Sequence, residues 1–179
     1  MEDGYLEVET RRLVLDLVRD KPGLHMREIA RRLKLSTSLV EYHLRALISD
    51  EMINSMKEEG YRRFYPGDDL RERVRLTREQ KRKLNLLRQR VPLDIICLLL
   101  ESSPLKHREI RKELDLSAST LSYHLNRMVK VRLLNKVRAG EKKGYHLADR
   151  RETVWILMTG DVSPPTVVDG LIETWDEFY

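Results

Sequence analysis

Two nine-residue stretches hold the side chains of this chain best suited to chemistry. One supplies Thr37, Ser38, Glu41, Tyr42 and Arg45; the other supplies Ser119, Thr120, Ser122, Tyr123, Asn126 and Arg127. These are hydroxyls, phenols, guanidinium groups, a carboxylate and an amide. They donate and accept hydrogen bonds, but none forms a covalent intermediate unless a neighbouring base activates it. No nucleophile stands beside such a base, no glycine-rich phosphate loop is present, and the paired carboxylates read as solvated helix faces. An enzyme is not expected, nor is a cofactor. Metal chemistry needs clustered ligands, and the five histidines (His25, His43, His107, His124, His146) are joined neither by cysteines nor by an HxxxH spacing. No metal site is expected either. Recognition of a partner by hydrogen bonding is the chemistry that remains.

Charge indicates the kind of partner. The 179 residues carry a net +5, unevenly spread: −2 over residues 1–12, +2 over 13–66, +5 over 67–93, +5 over 94–147 and −5 over 148–179. A basic body between acidic ends points to a polyanion. Charged residues make up 35% of the chain, a heavily decorated surface of the kind heat-stable proteins carry. The single cysteine, Cys97, lies in the apolar run LDIICLLL and reads as a small buried hydrophobe; no disulfide can form within the chain. No run approaches the roughly 20 apolar residues of a membrane span, and the acidic start MEDGYLEVET is unlike a signal peptide. The expectation is a soluble cytoplasmic protein with no membrane partner.

The two stretches are copies. Sliding the chain by 81 residues without a gap aligns 13–66 with 94–147 and gives 13 identities in 54 positions, against roughly 3 expected by chance. LSTSLVEYHLRAL at 35–47 answers LSASTLSYHLNRM at 116–128. A period this long is a domain duplication and not a solenoid.

Each copy predicts the same elements. TRRLVLDLVRD and PLDIICLLLES have helical apolar spacing, stopped by KPG and SSP, and Pro92 suits a first helical turn. HMREIARRL and KHREIRKEL are short basic second helices. Ser36 and Ser117 are natural N-caps for a third helix, because a serine oxygen satisfies a free amide there. At 100° per residue Val40, Leu44 and Leu47 share one face, and Ser38, Glu41, Tyr42, Arg45 and Ser49 share the opposite arc. MINSMK and RRFYP around EEGY, and LLNKVR and GYHLA around AGEKK, read as hairpins. The fold class expected is mainly α with small β-hairpins (α+β).

That order, with REIARRLKLSTSLVEYHLRALISDEMI and REIRKELDLSASTLSYHLNRMVKVRLL carrying it, resembles the winged helix-turn-helix domains of ArsR/MarR-like transcriptional regulators, particularly archaeal ones. The resemblance covers about 55 residues per copy. It implies two tandem winged domains, residues 1–68 and 91–149; the basic helical linker at 69–90 and the acidic helical tail at 150–179 are read from their own residues and are not explained by it. It also implies double-stranded DNA as partner, with third helices in the major groove and wings and second helices on phosphates.

On that basis Thr37, Ser38, Ser119 and Thr120 lie at helix N-termini suited to phosphate oxygens. Arg45 and Asn126 are placed for guanine and adenine edges, and Glu41, where its partner is Ser122, for a cytosine amino group. Tyr42 and Tyr123 face outward. Arg27 and Arg108 on the second helices, Arg127, and the wing cations Arg62, Arg63, Lys142 and Lys143 complete the candidate set. His43 and His124 read as packing histidines with one nitrogen bonded to backbone or phosphate. In the first wing Glu58 and Glu59 partly cancel Arg62 and Arg63, whereas the second has Arg138, Lys142 and Lys143 against one glutamate; the second wing is expected to dominate phosphate binding.

Between the copies, Thr77 and Gln80 stand in capping-box spacing before a basic helix with Leu84 and Leu87 as a thin apolar stripe. In the tail, Val168, Leu171, Ile172 and Trp175 share a helical face. The N-terminal helix, the linker and the tail are the candidate surfaces for a homodimer. A DNA-binding transcriptional regulator, nucleoid-associated, is the leading reading. A low-specificity architectural DNA-binding protein and a tandem winged-helix interaction scaffold are the alternatives. Small polar residues with Arg and Asn outward on both third helices favour DNA.

Overall fold

The computed structural model describes residues 2–58, 60–67, 76–137 and 144–162. They fall into two compact units: residues up to Thr77 together with Thr159–Asp161, and Arg78–Met158 together with Val162.

The first unit runs α1 (Glu2–Asp20), β1 (Leu24–His25), α2 (Met26–Leu33), α3 (Thr37–Ser49), β2 (Ile53–Glu58) and β3 (Tyr61–Pro66). Its antiparallel sheet has the order β1-β3-β2, with Leu24 opposite Phe64 and Ile53 opposite Pro66. The core is Val14, Leu15 and Val18 from α1, Leu24, Ile29 and Ala30, then Val40, Leu44 and Leu47 from α3, closed by Ile53 and Phe64. Of the apolar positions read from the sequence, Val14, Val18, Val40, Leu44 and Leu47 are buried, whereas Leu13 of the first helix stands half exposed.

The second unit runs α4 (Arg78–Leu87), α5 (Arg90–Glu101), α6 (His107–Glu113), α7 (Ala118–Lys130), β4 (Leu134–Val137), β5 (Gly144–Leu147) and α8 (Arg150–Thr159). At nine of the eleven positions 81 residues on, Ile95, Ile96, Leu99, Ile110, Leu121, Leu125, Met128, Leu134 and Tyr145 are buried; Leu105 is half-buried and Arg111 exposed. The duplication extends to backbone detail. Lys34 and Asp115 both take the left-handed conformation after the second helix, at φ 56° and 47°, and Glu51 and Arg132 take it after the third, at φ 57° and 59°. In each copy the first of these turns the chain out of one helix, and the serine that follows restarts the next. Ser36 Oγ accepts from the Leu39 amide at 3.2 Å and Ser117 Oγ from the Thr120 amide at 3.1 Å. The architecture is α+β, mainly helical with small antiparallel hairpins.

Four features depart from the sequence reading. First, the helix read from Thr10 begins at Glu2, which brings Glu7 and Arg11 over the third helix. Second, Leu24–His25 forms a third strand in the first unit, and Leu105 makes a single bridge to Tyr145 in the second. Gly144 permits that bridge: its φ is 155°, and a Cβ there would lie 2.5 Å from the Leu105 carbonyl oxygen.

Third, the segment read as a linker contributes α4, which groups with the second unit and buries Lys83, Leu84, Asn85, Leu86 and Leu87. Lys83 reaches Glu79 at 3.3 Å and also pairs with Glu152 of α8, so this lysine is not a surface cation. A periodicity argument sees only the two leucines, because the carboxylate that permits a buried lysine is 69 residues away. Fourth, the start of the tail is part of the same body. Thr153, Val154, Ile156 and Leu157 of α8 are buried, and Arg150 donates to the Leu100 carbonyl at 2.7 Å. Residues 68–75 of the linker, Glu59 and the wing residues 138–143, and the tail from 163 with its Val168–Trp175 face lie outside the described residues.

Candidate nucleic-acid interface

Both third helices bury one face and expose the other, as their periodicity requires. On α3, Val40, Leu44 and Leu47 point inward, while Thr37, Ser38, Glu41, Tyr42 and Arg45 are exposed. On α7, Leu121, Leu125 and Met128 point inward; Ser119, Thr120, Tyr123 and Asn126 are exposed, with Ser122 and Arg127 half-buried. Arg27 and Arg108 are exposed at matching positions of α2 and α6. The N-terminus of α7 carries a hydroxyl cluster, in which Ser117 Oγ lies 3.0 Å from Ser119 Oγ and 2.8 Å from Thr120 Oγ1. Together with the first-turn amides it offers a dense set of donors.

The polar partners on the two faces differ, as the differing residues at these positions allow. Arg45 Nη2 lies 2.6 Å from Glu41 Oε1, one helical turn apart. The Tyr42 hydroxyl donates to Glu7 of α1 at 2.8 Å, and Arg11 holds the same carboxylate at 2.9 Å. In the second unit Ser122 Oγ bonds the His107 ring at 3.0 Å. The Arg127 guanidinium sits 5.1 Å above the Tyr123 ring and donates to Gln89 at 3.0 Å. Offset by 81, Glu7 becomes Arg88 and Glu41 becomes Ser122, so neither carboxylate has an acidic counterpart.

The first wing holds its cations close to its own strands. Arg62 donates to Ser55 Oγ at 2.9 Å and lies over the Phe64 ring, and the half-buried Arg63 donates to the Gly23 carbonyl at 2.9 Å. Arg63 therefore ties β3 to the turn before β1. Lys142 and Lys143 of the second wing lie outside the described residues.

The two histidines of the repeat are less alike than their sequence. His43 is fully buried with neither ring nitrogen hydrogen-bonded, which corrects the expectation of one bonded nitrogen. Its ring meets that of Tyr42 edge-on at 5.2 Å. His124 is half-buried, and its Nδ1 has no partner. Burial holds the His43 pKa below the ordinary imidazole value, with Arg11 adding to the effect and Glu7 opposing it; burial, then Arg127, lowers His124. A lowered histidine pKa means the folded state resists protonation. The associated stability is complete above the unfolded value of about 6.5 and is lost as pH falls through the lower folded values. Denaturant titrations at pH 7.5 and pH 5 are expected to give a lower midpoint at pH 5, with a smaller drop in His43→Leu. An unchanged pH dependence in that variant would remove His43 as a source.

The Cys97 thiol is buried and its pKa pushed up to about 11, chiefly by desolvation, so it is no ready nucleophile. Among the described residues no group of three or more His, Cys, Asp or Glu is placed to hold a metal ion.

Both copies of the repeat match known families. Residues 8–76 match the family described as an N-terminal HTH domain, and residues 93–136 match the bacterial regulatory protein, arsR family. An uncharacterised HTH-type transcriptional regulator of Methanocaldococcus jannaschii is 29% identical over 147 residues, which is 82% of this chain and 35% of that protein. The chain thus spans about a third of that relative's length. Among solved structures, a protein of Corynebacterium diphtheriae matches over 76% of this chain and 26% of its own, at a TM-score of 0.30 and 18% identity. A likeness of that order carries nothing over. The two family matches fall on the two copies of the repeat, each spanning a second helix, a tight turn and a third helix with an exposed polar face. The chain therefore carries two winged helix-turn-helix domains in tandem, the first matching the N-terminal HTH model and the second resembling the arsR-family model.

Proposed function

We propose that the chain is a DNA-binding transcriptional regulator, not an enzyme, that lays α3 and α7 in the major groove and sets its wings and second helices on phosphates. One observation carries this reading: the same outward face, capped by Ser36 or Ser117 and lined by hydroxyls with Arg45 or Asn126 a turn further on, is exposed twice. A relative named as an HTH-type transcriptional regulator supports it. A protein of this kind works in the cytoplasm at the nucleoid, and no described helix is long and apolar enough to cross a membrane. A homodimer belongs to the same reading, with Val8 and Leu13 exposed on α1 and Trp155 and Met158 exposed on α8 as its apolar surfaces.

Binding selection from random duplex DNA at fixed, near-physiological salt tests the proposal. A sharp motif is the expected result, and a palindromic one reports the dimer. Diffuse enrichment would replace the regulator with an architectural protein, and no retention at all would favour an interaction scaffold.

A further inference from the structure

Arg45 and Glu41 were singled out separately in the sequence as groups for a guanine edge and a cytosine amino group. The structure joins them. Nη2 of Arg45 is 2.6 Å from Oε1 of Glu41, with the two side chains 74% and 49% exposed, so the pair stands in solvent on the outward face of α3. The neighbouring carboxylate, Glu7, is engaged by Arg11 and the Tyr42 hydroxyl.

An arginine followed by a carboxylate one turn back is a poor device for holding phosphate. Any approach that satisfies the guanidinium brings Glu41 into the same negative field, and the paired charge of α3 is zero where α7 carries Arg127 and Lys130 with no acid. It is a good device for one kind of base pair. Guanine presents O6 and N7, two acceptors that a guanidinium spans, and the cytosine opposite presents the N4 amino group, a donor that a carboxylate accepts. An exposed ion pair is weak and opens at little cost, so both groups can exchange each other for base edges at once. No other base pair in the major groove offers an arginine two acceptors and a carboxylate a donor side by side.

We infer that Glu41 and Arg45 act as a coupled reader of a G·C pair, in which Glu41 lowers affinity for DNA in general and thereby raises the first unit's discrimination. This rests on the DNA-binding reading above and deepens it. The second unit, with Ser122 tied to His107 and Asn126 exposed, lacks the device and selects differently.

The test uses the full chain, wild type and with Glu41→Gln, Arg45→Ala and both, titrated by fluorescence anisotropy at fixed salt. The probes are a duplex obtained by selection from a random pool and a mixed-sequence duplex of equal length. Glu41→Gln is expected to tighten mixed-sequence binding about threefold or more while narrowing the ratio between the two probes. Arg45→Ala is expected to weaken the selected duplex about tenfold or more, and repeat selection with it loses one G·C position. In the double variant the two effects do not add. Both residues are exposed, and an unchanged circular dichroism melt confirms that the variants fold. The inference is overturned if Glu41→Gln leaves the ratio unchanged, or if Arg45→Ala weakens both duplexes equally, since either makes the pair a mere surface salt bridge or phosphate contact. A wild-type chain that binds neither duplex at any salt would end the DNA reading itself, whereas wild-type binding with an unchanged ratio in Glu41→Gln ends the coupled reader alone.

Discussion

Leu44→Ala and Leu125→Ala are each expected to lower the stability of their own unit by about 2–5 kcal/mol, the range for emptying a large apolar side chain from a tight core. The two leucines occupy equivalent places, with Leu44 2% and Leu125 0% exposed. Each sits on the inner face of a third helix that packs on the first and second helices of its copy, so neither void can be filled without moving an element that carries candidate contacts. Units of about 80 residues have little stability to lose, and a loss of this size approaches the whole of it. Equilibrium denaturation of the two variants beside the wild type checks the expectation. A loss below about 1 kcal/mol in either would mean that the core relaxes around the gap and that the burial of these helices is not what orders their outer faces. The exposed Leu39, on the same helix as Leu44, serves as the control, and its alanine variant should cost far less.

The second large effect concerns the wings. Changing Lys142 and Lys143 to alanine is expected to weaken DNA binding more than changing Arg62 and Arg63. Two lost phosphate contacts flatten the dependence of log K on log salt by about 1.8, on a slope of about 0.9 for each contact. The pair Arg62 and Arg63 starts from a poorer position. Arg62 is bonded to Ser55 and stacked on Phe64, Arg63 is bonded to the Gly23 carbonyl, and both would exchange existing partners for phosphate. Removing Arg63 also frees the turn before β1, so Arg63→Ala is expected to act partly through stability, and its melt should fall where that of Arg62→Ala does not. Salt-controlled titrations of the two double variants decide between the wings. An equal or greater loss of affinity and slope in the Arg62/Arg63 variant would reverse the assignment.

Much of this molecule was legible without coordinates, for a physical reason. An ungapped duplication states every local rule twice, so a helix period, a serine cap or a stop signal that is ambiguous once becomes firm when its counterpart agrees. The two serine caps, the buried stripes Val40/Leu44/Leu47 and Leu121/Leu125/Met128, and the hairpins after each third helix are local features of this kind. They also placed the exposed hydroxyls, Arg45 and Asn126 on the outward arc.

What local rules cannot hold is the identity of a partner far along the chain. Tertiary structure alone decided that Glu7 binds Tyr42 from 35 residues away, that Arg63 bonds Gly23 across 40, and that Lys83 is buried because Glu152 answers its charge. It also decided that His43 is enclosed without a hydrogen bond, since the arc that places it beside the apolar stripe does not say that Glu7 and Arg11 of α1 will lie close to its ring. Even the local pair Glu41 and Arg45 needed coordinates, because spacing allows an ion pair but also allows both side chains to extend into water. The amino-acid sequence by itself determined two copies of a helix-turn-helix and which face each turns outward. Only the tertiary structure decided which polar groups on those faces are already engaged, because a hydrogen bond or ion pair is settled by distance in space and not by position in the chain.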